Sequence, residues 1–475
     1  MKRARRLLGA SIVAVIVLSP AASTAATIEV TTLDDERAVD GDCSLREAMQ
    51  SANDNVSADE CAKGRGAERD TIKLQPAEYD LTGPSSDEDE NADGDLDYTG
   101  GGALTIRGAK GGGSVIDSET DDRVIHAVEN ASALKLERLM LERGDASTLD
   151  RDDGGNVYVG EGALTLSRAR ISGGTAGSGG GVFFASDERL RIDRSQLFGN
   201  EAISGGALNT LGTGRSTVSR SYFSENGARA GASRGGAITY SGDSLKVSDT
   251  FFLDNVASST PGGSALGGAI YGSNLDIRRS LFWGNETQES GENVIAAGGA
   301  IDSNGGTRIA NTTFYDNASA DAGGALVAEG ALSHVTFLAN SAEDGGDHVA
   351  PVPNVGAGPL VVRNSIFPGA AIAVDLCDSD GTVVSKGFSV ATYDDPDCGF
   401  LDSDLTGVGN PGLEPGAPFP HGGRTWTIPI TKSSPAKDLV PKRKCRSAGG
   451  TDQRGFERPA GPRCDAGAFE RGAKP

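Results

Sequence analysis

Three things are scarce in this sequence. Aromatic residues fill only 5% of its 475 positions, there are four His, and no Cys falls between residues 62 and 376. Few aromatics beside 68 Gly favour many tight turns over long helices. The cysteine gap means that something other than disulfides must hold the middle of the chain. Apolar runs of the ~20 residues needed to span a bilayer are also lacking. The one candidate, residues 7–18, is shorter. It follows Lys2, Arg3, Arg5 and Arg6 and ends in small residues, which reads as a secretory leader over 1–26 cut after Ala26. Positive charge is in deficit. A formal net charge of −22 excludes nucleic acid as a partner through bulk charge and suits a soluble, self-repelling particle. No CxxC pair is present, which argues against zinc.

What cysteine there is comes as an even set: Cys43, Cys61, Cys377, Cys398, Cys445 and Cys464. In a secreted chain that suggests disulfides. Proximity favours 43–61, 377–398 and 445–464, each closing a short loop worth roughly 3 kcal/mol in the chain-entropy model.

The middle carries a repeat. The pattern apolar-x-apolar-x-x-small-x-apolar-x-x-turn recurs nine times between residues 134 and 370. Examples are LRIDRSQLFGN (190–200), LKVSDTFFLDN (245–255), LDIRRSLFWGN (275–285) and TRIANTTFYDN (307–317). Most copies are followed by GGAL or GGAI. Period-two alternation marks two short strands per copy, split by a two-residue bend. The last position is Gly or Asn in eight of nine copies, which predicts left-handed backbone there. The glycine pair supplies a further corner and Ala-Ile a third strand. Three strands and three corners per 23–32 residues predict coils of a right-handed parallel β-helix, not the larger blades of a propeller. Phe223, Phe252, Phe282, Phe314, Phe337 and Phe367 should then form one inward column, with Leu197 standing in at one level. Ile192, Val218, Val247, Ile277, Ile309 and Leu332 should form another.

One segment breaks the pattern. VDGDCSLREAMQSAN (39–53) reads as a helix capped by Asp42 or Ser44, with Leu45, Ala48, Met49 and Ala52 on one apolar face. A β-helix exposes strand edges and core at its ends, so this segment, pinned to Cys61, is suited to cover the N-terminal one. The four later cysteines would brace the opposite end. The residues 40–53 resemble the CSLREA domain that begins many secreted bacterial β-helix proteins. EDENADGDLDYTGGGALTIRGA (88–109) is similar to the stretch that follows it there. The repeats resemble those of chlamydial polymorphic outer-membrane proteins and pectin-lyase-like helices. TDQRGFERPAGPRCDAGAFE (451–470) resembles a choice-of-anchor terminal domain. The resemblance implies a secreted or surface protein, associated with the outer membrane in some relatives, and brings no catalytic residues. It divides the chain into a leader (1–26), a cap region (27–100), β-helix repeats (101–370) and a C-terminal region (371–475).

Two sets of side chains could bind something. At the bend, the second outward residue is Arg138, Arg168, Arg194, Arg220, Asp249, Arg279, Asn311, His334 and Asn364 in successive copies. Four consecutive arginines would form a basic stripe, able to hold an acidic polysaccharide or cell-surface glycan. The plainer reading pairs each Arg with an acid such as Glu137 or Asp193 on a solvated edge. Separately, Asp89, Asn91, Asp93, Asp95 and Asp97, with Gly94 between, have the oxygen spacing of a calcium loop, although Gly100 stands where a bidentate Glu belongs. Calcium is therefore the one cofactor to consider, against an acidic solvated loop. No GHG element or Ser-His-Asp set stands out. The expectation is a non-enzymatic adhesion or glycan-binding protein without a membrane span. The alternatives are a lyase or hydrolase of acidic polysaccharide and a scaffold for another surface protein.

Overall fold

The computed structural model describes residues 25–66, 69–84, 88–128, 131–289, 295–343, 345–352, 358–369 and 375–475. The leader expected over 1–26 lies outside these except for Ala25 and Ala26. The described chain is a right-handed parallel β-helix of about nine turns. No described helix is long and apolar enough to cross a membrane.

Alternation explains the core. Residues with inward parity stack on their equivalents one coil away, with neighbouring strands about 4.8 Å apart. Phe223, Phe252, Phe282, Phe314 and Phe337 stand in register, and each is fully buried. Their rings stack at centroid distances of 5.1, 4.7, 4.9 and 5.3 Å, and Phe367 continues the column at 5.1 Å. Leu197 precedes Phe223 in the same register. The Ile192–Val218–Val247–Ile277–Ile309–Leu332 column forms as well.

The corners differ from expectation. Positive φ falls one residue before the Gly/Asn position, at Glu225, Asp254, Gly284 and Asp316. Asn is there for its amide. Asn200, Asn226, Asn255, Asn285, Asn317 and Asn340 form a buried ladder in which each Nδ2 donates to the next Oδ1 at 2.8–3.0 Å. The same Oδ1 accepts from the backbone N–H of the preceding ladder residue, as in Asn226 to Asn255 at 3.2 Å. The two glycines of GGA have separate reasons. Gly235 adopts φ +58, and a Cβ on Gly236 would sit 2.2 Å from the Gly268 carbonyl of the next coil.

The helix α1, Leu45–Asp54, forms as the pattern predicts, with Ser44 as N-cap in a capping box with Glu47. Leu45, Ala48, Met49 and Ala52 enter the main core beside Ile28, Ile72 and Leu96. The coil begins earlier than residue 101: Thr27–Glu29 pairs with Arg69–Lys73, which pairs with Ala103–Arg107. The helix is inserted between the first two of these strands, which hides their repeat in the sequence. Strands also continue past 370, at Val383–Ser385 and Val390–Ala391.

The three disulfides are Cys43–Cys61, Cys377–Cys398 and Cys445–Cys464. The second lies at the last coils, where the 3-10 turn Pro396–Cys398 packs beside Val383–Ser385. The third does not brace an end. It belongs to a segment folded back along the flank of the β-helix. Asn311 donates to the Ala448 carbonyl, Gly467 N–H to the Asn364 carbonyl, and Ala468 N–H to Thr336. The tail finds its partners there in the carbonyls of Arg279, Ser280 and Asn364 and in the side chains of Asn311 and Thr336.

Candidate functional site

The bend is where the sequence placed its arginine stripe. Strand registers put Glu137, Ser167, Asp193, Ser219 and Ser248 opposite one another on successive coils, so the residues after them, Arg138, Arg168, Arg194, Arg220 and Asp249, stack along one edge. Each has φ between +51 and +57. This left-handed step turns the chain between two strands. From Arg194 onward the next residue's hydroxyl fixes it: Ser195 Oγ donates to the Asp193 carbonyl at 3.1 Å and accepts from Ala169 N–H at 3.2 Å, and Ser221 and Thr250 donate in the same way. The arginine side chain is thrown outward. Arg168 and Arg194 are exposed, and Arg138 and Arg220 are partly so.

Acids accompany the stripe without neutralising it. Glu137 is shared by Arg107, Lys135 and Arg138. Asp193 is shared by Arg191, Arg194 and Arg220. Each carboxylate therefore meets three cations. Burial works to raise the Glu137 carboxyl, but the hydrogen bond and charge of Lys135, then Arg107 and Arg138, hold it below the usual range. Asp193 is likewise held down: hydrogen bonds from Ser219 and Arg220 and the arginine charges outweigh burial. Arg168, between these clusters, has no salt bridge among the described residues. It lines a pocket of about 390 Å³ with Lys110, Gly111–Gly113, Arg138 and Arg170. Cβ atoms on Gly111 and Gly112 would meet nothing within 4 Å, so this glycine loop leaves the pocket open. Lys110, Arg170 and the pocket itself were not legible in the sequence, because the loop that lines one side of it comes from an earlier coil.

Arg279 does not belong to the open stripe. It pairs two-pronged with Asp249 on the adjacent coil, both bonds 2.9 Å, and Thr425 of the folded-back segment bonds its carbonyl. The segment then covers Asn311 and Asn364. The stripe is basic where the edge is open and turns to neutral residues where it is covered, since a covered charge costs desolvation. Just beyond Arg220 lies an aromatic patch. Tyr222 is 40% exposed and stacks on Phe251 at 4.5 Å, and Trp426 reaches over Phe251 and Trp283.

The acidic loop with calcium-type spacing is occupied by an arginine. Arg46, 2% exposed, donates to the carbonyls of Asp93, Gly94 and Asp95 and pairs with Asp35. Its guanidinium takes the carbonyls that a cation would want. Asn91 is buried and donates to the Arg46 carbonyl. Asp95 faces Arg123 at 3.7 Å, and burial first, then Asp97 and Asp122, push its carboxyl well up. Asp97 turns the other way, and burial, with Glu88 and Asp89 nearby, raises it to about 8. Of the five residues, the structure brings together Asp89 and Asp97, beside His126. The strand register supplies that histidine, pairing Asp97 with His126, and His126 in turn with Tyr158. No sequence motif singles out His126, which is 2% exposed.

A scan against protein-family models finds no match, and no curated protein matches. Among solved structures, a crystal structure of pectate lyase Pel9A aligns over 94% of this chain and 97% of its own, at 14% identity and a TM-score of 0.41. At that distance the likeness says nothing of activity, and function has to be argued from this chain's own residues.

Proposed function

We propose that this is a secreted β-helix protein that binds an acidic polysaccharide or cell-surface glycan along its open basic edge and does not cleave it. The observation that carries the reading is the local charge excess: three cations to each of Glu137 and Asp193, with Arg168 between them making no salt bridge among the described residues. In a chain of net charge −22, such a concentration on adjacent coils is a feature in need of a counter-ion. Arginine forks suit the carboxylates or sulfates of a polyanion, and one coil rises about 4.8 Å, so a linear polymer meets a regular row of donors. Tyr222 and Trp426 extend the edge with flat apolar surface for sugar rings.

The test is incubation of the protein with acidic and neutral polysaccharides, following both retention and chain shortening. Acidic chains should be retained, neutral ones not, and salt should weaken the binding. The Arg168/Arg194/Arg220→Ser triple variant should lose at least tenfold in affinity while keeping its thermal midpoint. Unsaturated ends would instead make the protein a lyase, and shortening without them a hydrolase. Neither retention nor shortening would leave a scaffold for another surface protein.

A further inference from the structure

A different strand column carries a group of residues that the glycan reading does not use. The outward residues of successive GGA-type strands form their own column, and its first three members are Asp97, His126 and Tyr158. Asp89 reaches them from the acidic loop. His126 Nδ1 lies 3.2 Å from Asp89 Oδ1 and 3.2 Å from Asp97 Oδ1. The three donor atoms all fall within 4.8 Å of one another.

We propose that Asp89, Asp97 and His126 bind a divalent first-row transition-metal ion of the zinc type. Spacing is the first argument. Metal–donor bonds of about 2.0–2.2 Å place neighbouring donors roughly 3.0–3.5 Å apart, and both separations from His126 Nδ1 are 3.2 Å, with the two carboxylate oxygens within 4.8 Å of each other. The second argument is the state of Asp97. Its side chain is fully buried, Oδ2 accepts from Asn91 N–H at 2.9 Å, and Oδ1, the oxygen aimed at the cluster, accepts no hydrogen bond. The third is rigidity. Asp97 and His126 sit on paired strands, and Tyr158 holds the imidazole edge-on at 4.9 Å from the next coil. Only Asp89, with its side chain 67% exposed, comes from a loop, which leaves a way in.

Donor chemistry selects the ion. Calcium takes six to eight oxygens, and here one of three donors is an imidazole nitrogen. One nitrogen and two carboxylates suit Zn²⁺, with Mn²⁺ or Co²⁺ able to substitute. Three protein ligands leave a coordination position open. Beside them is a pocket of about 520 Å³ lined by Asp89, Thr99, Arg151, Tyr158 and Glu161. A bound water or a ligand oxygen would complete the sphere from there.

The chain is well suited to a direct test, because every cysteine is in a disulfide and no free thiol competes for zinc. Protein stripped with chelator and dialysed against Zn²⁺ should retain one equivalent, read by elemental analysis. Co²⁺ in its place should give a visible d–d spectrum. Asp89→Asn should cut affinity at least tenfold without moving the chelated protein's melting temperature, since Asp89 is exposed. His126→Gln should abolish the Co²⁺ spectrum. Failure to retain Zn²⁺, or equal retention by both variants, would overturn the site. Displacement of Zn²⁺ by equimolar Ca²⁺ would overturn the assignment of the ion.

Discussion

Asp302 shows how one residue's position sets its titration. It occupies the outward column of the GGAI strands, between Tyr271 and Val327 on the neighbouring coils, and is 8% exposed. Burial pushes its carboxyl up to about 7, against the pull of Arg234. An unfolded aspartate titrates near 3.9. Below that pH both states hold the proton and folding loses nothing. As pH rises towards 7 the unfolded chain releases its proton first, so stability falls, and above 7 the full cost is present. Asp302→Asn is therefore expected to stabilise the protein by roughly 2–4 kcal/mol at pH 8 and by little at pH 4. Urea melts of both proteins at the two pH values measure this; equal gains at both would show that the carboxyl is ionised in place. Arg46 makes the same point for a motif. Within CSLREA, Cys43 is bridged, Ser44 and Glu47 cap, Leu45 and Ala48 pack, and Arg46 clamps a loop some fifty residues on. All six letters have work inside the fold, so their chemistry alone gives no reason to seek a binding role for them.

Between residue and molecule stands the asparagine ladder. Asn255 donates to Asn285 Oδ1 at 2.8 Å and to the Phe223 carbonyl at 3.0 Å, and accepts from Asn226. It touches three coils at once. Asn255→Ala removes these bonds and strands buried partners above and below, at a cost of about 2–4 kcal/mol. Asn255→Asp keeps the shape but loses both donors and buries a carboxylate against the Asn285 oxygen, so it should cost at least as much. Chemical denaturation of the two variants tests the order; an aspartate better tolerated than alanine would mean that packing, not hydrogen bonding, holds the corner. The aromatic column beside it replaces the disulfides absent from the middle. Stacked Phe rings bind coil to coil by dispersion and burial, with no covalent link.

The whole molecule is a β-helix with its own tail laid along part of one edge. Gln453 pins that tail. It is fully buried, its Nε2 donates to Ser280, Thr425 and Trp426, and its Oε1 accepts from Thr313 at 2.6 Å. The protein has two tryptophans, Trp283 on the coil and Trp426 on the tail, and they face each other at 6.0 Å. Fluorescence therefore reports docking directly. Gln453→Ala should shift the emission to the red and bring the fluorescence melt below the far-ultraviolet one by several degrees, the tail leaving before the coils. Coincident melts would mean that tail and coil unfold as one unit.

By itself the sequence determined the coil, the inward Phe and Ile columns, the three disulfides and the capped helix. Each depends on spacing within a repeat or on neighbours less than thirty residues apart, and period and proximity can be read along a line. Only the tertiary structure decided which outward residues meet. It brought His126 to Asp97, set a glycine loop beside Arg138 and Arg168 at one pocket, and turned Arg46 onto the loop that had read as a calcium site. It also folded the tail over Arg279 and left Arg138 to Arg220 open. Those contacts join residues on different coils or distant segments. Inward positions obey one shared rule, burial in a common core, whereas each outward position answers to whatever loop or tail lies across it.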